Sequence, residues 1–260
     1  MKNIASKQPS NVMKNITPPN RETVTSSYSS KFDRVLGRTK LEWTCDDGRR
    51  ESLISNLRFN DYEGYKPSVY SLLNLPYVIQ TYMQAKKQPL MKNPVPFIVI
   101  DAIRYLDKLV RPGMRVLEVG GGNSSLWFLS KDVHLTTFEH NAEWAGYVND
   151  AVKANPVKYP EHRFNLNVMQ GQDTVNTILG MEDQSYDLVL IDSMNDYTRR
   201  NDCIEAALTK VKKGGWMVLD NSDNPVNWNG RELLAGKEMR RFTGFAPMAL
   251  FVCQTTFWKI

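Results

Sequence analysis

The feature that most constrains the fold of this 260-residue chain is an alternation of strand-like and helix-like segments between residues 115 and 219. Residues 186–192, for example, read YDLVLID and are nearly all apolar, whereas residues 142–154 have the spacing of an amphipathic helix. A continuous apolar run is typical of a strand buried on both faces. Strands separated by helices form right-handed βαβ units. We therefore predict an α/β protein with a doubly wound, mostly parallel sheet of seven strands.

Turn signals and apolar periodicity set the expected boundaries. Strands are predicted at residues 115–119, 134–139, 163–168, 186–192, 216–219 and 251–259. Helices are predicted at 68–85 with a break near Pro76, 96–110, 142–154, 174–179, 201–211 (closed by residues 212–215) and 231–240. A turn at Gly244 and Pro247 precedes the last strand, and a strand before that turn would pair antiparallel with it because no helix intervenes.

Three regions follow from composition along the chain. Residues 1–31 are mostly Lys, Asn, Ser, Thr and Pro without apolar periodicity, so we expect a flexible basic tail. Residues 32–95 are mixed and are interpreted as an N-terminal cap with a helical part. Residues 96–260 carry the alternating pattern and are interpreted as a Rossmann-like domain.

The net charge of +5 first raises nucleic acid as a partner. Five basic residues up to residue 31 face Glu22 alone, however, and the rest of the chain holds 28 basic and 27 acidic residues. Nucleic acid is therefore disfavoured as a partner. The longest uncharged stretch, residues 67–85, is too polar to span a membrane. Three widely spaced cysteines form neither a disulfide framework nor a zinc motif, which favours a reducing, cytoplasmic location.

A glycine-rich turn follows the first predicted strand in the sequence VLEVGGGNSS, residues 116–125. Glycines here allow a ligand to approach the backbone, and the next helix offers free N–H groups. The dinucleotide fingerprint is incomplete because Ser125 stands where its third glycine would be. Glu118, inside the strand, would repel a pyrophosphate but would suit a ligand with a cationic amine.

Polar side chains also follow the next four strands. Glu139 and His140 end the second strand, where a carboxylate can accept both hydroxyls of a ribose. Gln172 and Asp173 follow the third strand and could border an adenine ring, although Asp173 could equally cap a helix. The fourth and fifth strands end in acids as well, followed by an amide: Asp192, Asp220 and Asn221. Carboxyl ends of parallel strands form the ligand-binding edge of open α/β sheets.

The order of these motifs resembles class I S-adenosylmethionine-dependent methyltransferases over residues 96–260. The resemblance implies S-adenosylmethionine as cofactor. It places the methionine moiety at the glycine loop, the ribose at the second strand, with His140 beside it, and the adenine at the third. The residues implied are Glu118, Gly120, Gly122, Asn123, Ser125, Glu139, His140, Gln172, Asp173 and Asp192. The pattern of the glycine loop together with Glu139-His140-x-x-x-Trp144 is similar to a small-molecule branch of the family.

The acceptor is less constrained. DNA amino-group methyltransferases have Pro-Pro-aromatic after the fourth-strand acid, but here Asp192 is followed by Ser-Met-Asn. Carbon methylation of cytosine needs a cysteine nucleophile, and Cys203 lies in a predicted helix, where packing is the expected role. We therefore expect a small-molecule acceptor and transfer to oxygen.

Asp192, Asp220 and Asn221 are the candidate catalytic residues. The trio resembles the metal ligands of catechol-type O-methyltransferases, which would bind a divalent cation such as Mg²⁺. The same pattern occurs in methyltransferases without metal, so both readings stay open. Asp192 is the first candidate to contact the acceptor. Arg199 and Arg200 follow it and could bind an anionic acceptor or begin a solvated helix. Tyr197 lies in the same predicted loop and faces the same edge. Five tyrosines that precede the fold either wall the acceptor pocket or, as the more usual role, pack in the core: Tyr62, Tyr65, Tyr70, Tyr77 and Tyr82.

Two alternative functions remain. A spermidine-synthase-like aminopropyltransferase shares the glycine turn and an Asp-Ser pair, but has aspartate where this chain has Asn123. A nucleic-acid-binding protein with a degenerate cofactor fold would explain the basic charge, although the intact acids Glu118 and Glu139 speak against degeneration.

Overall fold

A computed structural model describes residues 42–44, 50–52, 58–85, 90, 92–193 and 199–260. The predicted tail at 1–31, most of the predicted cap before residue 58, and Tyr197 lie outside this description. Two short strands pair antiparallel near the start, and seven longer strands form the main sheet. The strands are β1 (Glu42–Thr44), β2 (Arg50–Ser52), β3 (Arg115–Val119), β4 (His134–Glu139), β5 (Phe164–Val168), β6 (Tyr186–Ile191), β7 (Val211–Asp220), β8 (Met239–Phe245) and β9 (Val252–Lys259).

The main sheet has the order β5-β4-β3-β6-β7-β9-β8. Strands β3 to β7 are parallel, β9 is antiparallel to β7, and β8 is antiparallel to β9. Strands β4 and β5 therefore follow β3 on one side of the sheet, and strands β6 to β9 lie on the other side of β3. The order reverses between β3 and β6, and open α/β sheets bind ligands at such a switch point. The predicted doubly wound sheet with its antiparallel C-terminal hairpin is confirmed.

The described residues form eight α-helices. They are α1 (Val69–Leu72), α2 (Leu75–Ala85), α3 (Ile100–Leu109), α4 (Asn123–Leu129), α5 (Ala142–Ala154), α6 (Gln172–Leu179), α7 (Arg200–Leu208) and α8 (Trp228–Glu232). The break predicted near Pro76 is present, since α1 ends before α2 begins at Leu75.

Both faces of the main sheet are buried in apolar cores. Strand β6 shows this directly, because Leu188 and Leu190 pack into one core with α3, α4 and α5. Val189 and Ile191 point the other way and pack against α6 and α7. Alternating residues of one strand are therefore buried on opposite sides, which explains why its sequence is apolar at nearly every position.

Two predicted boundaries are wrong. Residues 212–215 were expected to close a helix, but they lie inside β7, which begins at Val211 and takes a register shift opposite β6. Gly214 has a φ of 81°, and a Cβ on Gly215 would lie 2.8 Å from the carbonyl oxygen of Asp187. These glycines accommodate the irregularity in the strand.

The helix predicted at residues 231–240 is also wrong. Helix α8 ends at Glu232, Gly236 has a φ of 80°, and β8 begins at Met239. Pairing of β8 with β9 over its whole length overrides the local pattern. The exposed arginines Arg240 and Arg241 suit β8, because charged side chains protect an edge strand from further pairing.

No described helix is both long enough and apolar enough to cross a membrane.

We expect Phe257→Ala to lower the free energy of unfolding by about 3–5 kcal/mol. Phe257 on β9 is fully buried, and the rings of Tyr105, Trp216 and Phe242 contact it. Removing its ring leaves a cavity that these neighbours only partly fill. Denaturant unfolding measures the loss, and Phe59→Ala, at a side chain 59% exposed, is the matched control with a change within about 0.5 kcal/mol. Equal effects of the two variants would contradict the assigned core.

Candidate functional site

The candidate site lies where β3 and β6 end, at the switch point of the sheet. The amide of Gly120 donates to the carbonyl of Phe138 at 2.8 Å, and the amide of Asp192 donates to that of Val119 at 2.8 Å. Gly120 has a φ of 101°, and a Cβ there would lie 2.3 Å from the Asp192 carbonyl oxygen. Only glycine fits this turn, which brings the first and fourth motifs of the sequence together.

Glu118 supports the glycine turn from within β3 and is fully buried. Its Oε2 accepts hydrogen bonds from the hydroxyls of Ser125 at 2.5 Å and Thr137 at 2.8 Å. Ser125 Oγ in turn accepts from the Gly122 amide at 2.9 Å. One carboxylate thereby links β3, β4, the loop and the first turn of α4. The predicted cofactor residue Ser125 is also fully buried, and its hydroxyl holds the loop in shape.

The electrostatics of Glu118 are unusual. Desolvation by burial raises its pKa from 4.5 to about 7, against the lowering effect of its hydrogen bonds. Its second oxygen, Oε1, is buried with no hydrogen-bond partner among the described residues. A cationic group bound at the glycine turn would favour the ionised carboxylate. The site therefore fits a ligand that carries an amine at this end.

Trp144 in α5 fixes the glycine loop from outside, a role that the sequence motif alone did not reveal. Its indole Nε1 donates to the carbonyl of Gly121 at 2.8 Å. A Cβ on Gly122 would lie 3.0 Å from the same nitrogen, so the loop and the indole are in close contact. The Glu-His-x-x-x-Trp spacing brings this about, because Asn141 caps α5 through its side chain three residues before Trp144.

Glu139 and His140 lie together at the end of β4. Glu139 Oε1 accepts the amide of Asn141 at 2.8 Å and lies 3.0 Å from His140 Nδ1. These contacts fix the carboxyl group at the edge of the sheet next to the glycine loop, since a Cβ on Gly121 would lie 3.5 Å from Glu139 Cβ. The ribose role of Glu139 stays a prediction that this position suits.

The third motif begins α6. Gly171, with a φ of 59°, is the N-cap residue, so the expectation that Asp173 caps this helix is wrong. Asp173 instead lies exposed in the first turn. Gln172 is exposed too, and its carbonyl oxygen accepts a hydrogen bond from Arg199 while its amide donates to Asn176 at 2.9 Å. The loops after β5 and β6 therefore meet at Gln172, the residue predicted to border adenine.

The fourth and fifth motifs meet at the guanidinium of Arg200. Its Nη2 lies 3.4 Å from Asp192 Oδ1, and its Nη1 donates to the Asp220 carbonyl at 2.7 Å. Asp220 is buried, and its Oδ1 accepts from Thr255 Oγ1 at 2.7 Å. Asn221 follows in a left-handed conformation with a φ of 51°. The three predicted site residues are brought to one edge, but the Arg200 guanidinium already lies against the Asp192 carboxylate and the main chain of Asp220.

This arrangement does not fit the divalent cation that was expected as one reading of the trio. A guanidinium already faces Asp192 Oδ1, and a second cation there would be repelled. The expectation that the arginines begin a solvated helix holds for the exposed Arg199 but is wrong for Arg200, which is 3% exposed.

A polar network attaches residues 58–65 to the C-terminal hairpin beside the site, which the sequence did not indicate. The buried Asp223, two residues after Asn221, accepts the Tyr62 amide at 2.9 Å. Asp61 Oδ2 accepts from Gln254 Nε2 at 2.9 Å. Further contacts connect Arg231 with Glu63 at 2.6 Å, Arg241 with Glu63 at 3.3 Å, and Arg58 with Asp223 at 3.7 Å. The segment therefore adjoins the end of β7.

The remaining candidates separate clearly. Cys203 is fully buried in the core, where desolvation raises its pKa to about 12, so the expected packing role is confirmed. Tyr62, Tyr65 and Tyr70 are half exposed or more. These three side chains therefore do not pack in the core, which was one of the two roles expected for them. The guanidinium of Arg58 covers the Tyr62 ring at 3.7 Å.

Comparison with known proteins agrees with this geometry. Residues 117–222, which run from β3 to just beyond β7, match the family model described as a methyltransferase domain. No curated protein sequence matches the chain.

Solved structures share the fold at low sequence identity. The chain is similar to the O-methyltransferase from Bacillus cereus in complex with SAH, with a TM-score of 0.50, 18% identity and coverage of 75% of this chain and 92% of that one. It is also similar to a putative O-methyltransferase from Klebsiella pneumoniae, with a TM-score of 0.51, 20% identity, and 74% and 91% coverage. Precorrin 8W decarboxylase from Methanobacterium thermoautotrophicum matches with a TM-score of 0.50, 12% identity, and 66% and 97% coverage.

The strand order, the glycine turn with its acids and the matching domain define one class. Residues 117–222 therefore form a methyltransferase domain, carried on a Rossmann-like methyltransferase fold. A methyltransferase domain agrees with S-adenosylmethionine as the cofactor that the residues of the glycine turn led us to expect.

We expect Gly120→Ala to destabilise the protein by about 3 kcal/mol or more, because the added Cβ meets backbone at a positive φ. Gly146→Ala is the matched control, since Gly146 lies in α5 with nothing within 4 Å of its added Cβ. The control should gain about 0.5–1 kcal/mol from better helix propensity. Thermal and denaturant unfolding compare the two variants, and a neutral Gly120→Ala would contradict the close contact with Asp192.

We expect Glu118→Gln to change the pH dependence of stability. The raised pKa means that the folded state holds a proton that the unfolded state releases between pH 4.5 and about 7. Stability from this group therefore falls as pH rises through that window and stays low above it. The Gln variant has no charge to bury. Its free energy of unfolding relative to that of the wild type should therefore rise by about 3 kcal/mol between pH 4.5 and pH 8.

Denaturant unfolding at several pH values without cofactor measures this difference. Glu161→Gln, at an exposed carboxyl group, controls for the loss of one charge. If the free energies of unfolding of the wild type and Glu118→Gln change with pH in parallel, the pKa of Glu118 is not raised in the folded protein.

Proposed function

We propose that the enzyme transfers the methyl group of S-adenosylmethionine to an oxygen atom of a small-molecule acceptor. The observation that carries this proposal is the meeting of Asp192 with the glycine turn. A Cβ on Gly120 would lie 2.3 Å from the Asp192 carbonyl oxygen, so the acid adjoins the methionine end of the predicted cofactor site. The Bacillus cereus and Klebsiella pneumoniae structures, which share the fold, are described as an O-methyltransferase and a putative one.

Different residues of the chain would bind different parts of the cofactor, according to their positions at the edge of the sheet. Glu139 accepts the ribose hydroxyls, and the exposed Gln172 borders the adenine. The buried carboxylate of Glu118 stabilises a positive charge at the glycine turn. S-adenosylmethionine supplies an activated sulfonium methyl group. The protein then needs mainly to position the acceptor and to exclude water from the reacting atoms.

Asp192 would orient the acceptor hydroxyl or accept its proton. Its side chain is 9% exposed at the end of β6, so it is accessible from the edge of the sheet but largely desolvated. Tyr62 is placed on the same side, because its amide binds Asp223 just beyond β7. Aromatic side chains at this position would provide an apolar wall for a small, ring-shaped acceptor.

Two further expectations belong with this proposal. A cytoplasmic location stays a prediction, and Cys203 and Cys253 are both buried. A nucleic-acid acceptor stays disfavoured, because most of the chain's excess positive charge lies in residues 1–31.

The first test is calorimetric titration with S-adenosylhomocysteine. We expect the wild type to bind and Glu139→Ala to bind about 100-fold more weakly, because two hydrogen bonds to a charged acceptor are lost. Glu139→Gln keeps one acceptor oxygen and should lose less, whereas Glu161→Ala, an exposed acid far along the chain, should bind like the wild type. A folded wild-type protein that does not bind the nucleoside would refute the cofactor assignment of these residues.

The second experiment concerns the acceptor. The wild type is incubated with S-adenosylmethionine labelled in its methyl group and a panel of phenols, carboxylic acids and amines, and labelled products are separated by chromatography. We expect O-methylated products, with Asp192→Asn reducing kcat more than it changes cofactor affinity. A parallel incubation uses decarboxylated S-adenosylmethionine labelled in its aminopropyl group, and transfer of that group without any methyl transfer would instead indicate an aminopropyltransferase. Methylated amines alone would contradict transfer to oxygen.

A further inference from the structure

Arg200 is the most unusual charged residue at the site. It begins α7 yet is 3% exposed, and it spans the ends of β6 and β7. Its guanidinium lies 3.4 Å from Asp192 Oδ1 and donates to two main-chain carbonyls, those of Asp220 at 2.7 Å and Ser193. One side chain therefore connects the two strand ends that carry the acids of the fourth and fifth motifs.

The turn before α7 directs this side chain inward. Arg199 has a left-handed φ of 50°, and its own guanidinium stays at the surface with Gln172 and Asp202. The next residue, Arg200, then enters the protein at the first position of the helix. Two adjacent arginines thus have opposite environments, and only the second faces Asp192.

Burial of a guanidinium is costly unless acceptors compensate it. Desolvation lowers the pKa of Arg200, whereas Asp192 and Asp220 favour its charged form. Its Nε is buried and has no hydrogen-bond partner among the described residues. A buried arginine in such a position, with its Nε donor unused among the described residues, points to a function of its positive charge at the site.

We propose that Arg200 is the built-in cation of this active site and makes its chemistry independent of a divalent metal. The guanidinium takes the position against Asp192 that a metal ion would take if Asp192, Asp220 and Asn221 were its ligands. The inference builds on the proposed function, because it specifies how that site balances its acids.

The chemical consequence concerns Asp192 and the acceptor. The guanidinium orients the Asp192 carboxylate and offsets its charge, so that the carboxylate can hold the acceptor hydroxyl without a metal bridging the two. Arg200 acts through Asp192 and is therefore a positioning residue. Its fixed charge also leaves a divalent ion no favourable place, because the ion would have to displace or approach a like charge.

Metal binding tests this inference without any acceptor. Mn²⁺ is titrated into the full-length wild type and into Asp192→Asn, with free Mn²⁺ followed by electron paramagnetic resonance. We expect the two proteins to be indistinguishable, with no Mn²⁺ site tighter than about 1 mM that depends on Asp192. Binding below that concentration by the wild type, lost in Asp192→Asn, would overturn the proposal even if no other variant could be prepared.

Removing the guanidinium supplies the converse experiment. Arg200→Ala removes the cation beside the Asp192 carboxylate, next to the end of β7 where Asp220 lies, so we expect this variant to gain a Mn²⁺ site of about 1 mM or tighter. Arg200→Lys keeps a positive charge and should bind no Mn²⁺. Lys210→Ala is a matched control, since Lys210 is also a buried cation that contacts two carbonyls and one carboxylate, those of Leu179, Met181 and Asp183.

The Mn²⁺ titrations and the calorimetry test different claims. A folded Arg200→Ala that gains no Mn²⁺ site contradicts the proposal, and so does a Lys210→Ala that gains one equally well. Calorimetry with S-adenosylhomocysteine on the same samples reports folding and cofactor binding. Failure of the wild type to bind the nucleoside would refute the proposed function. The Mn²⁺ result concerns only the identity of the cation beside Asp192.

Discussion

The buried carboxylate of Glu118 is the interaction on which the rest of the site depends. It joins β3 to β4 through Thr137 and to α4 through Ser125, whose hydroxyl also accepts the amide of Gly122. Four backbone segments around the switch point are thereby fixed by one side chain. Because the carboxylate is fully buried, its charge is costly. The same property prepares the site for a cationic ligand, so the cost in stability and the capacity to bind come from one residue.

The sequence was sufficient to predict the central fold, because in this region the local sequence pattern and the long-range contacts favour the same elements. Strand β3, strand β4 and helix α5 begin and end where the pattern indicated. The predictions failed where a contact made elsewhere overrides the local pattern. The glycines at 214 and 215 resemble a helix stop but accommodate an irregular strand, and residues 239–245 become β8 because β9 is available to pair with them.

The same distinction applies to the site. Acids at the ends of parallel strands could be placed from the sequence, since the topology brings such ends to one edge. Arg200, Trp144 and Asp61 could not be placed, because their roles depend on partners 20 to 193 residues away. Helical periodicity also misleads for Arg200, as an arginine at the start of a helix is ordinarily solvated. Its burial follows from the backbone turn at Arg199, which no pattern in the sequence indicated.

Charge balance gives these separate observations a common basis. Asp192, Asp220 and Asp223 lie within or next to the edge of the sheet, and desolvation raises the pKa of Asp223. Buried acids so close together need compensating cations or donors. Arg200 compensates Asp192, the hydroxyl of Thr255 donates to the Asp220 carboxyl, and Arg58, Gln254 and the Tyr62 amide compensate Asp223. The segment at residues 58–65 therefore satisfies buried charge beside the active site, and its attachment is coupled to the electrostatics of the edge where the acceptor would bind.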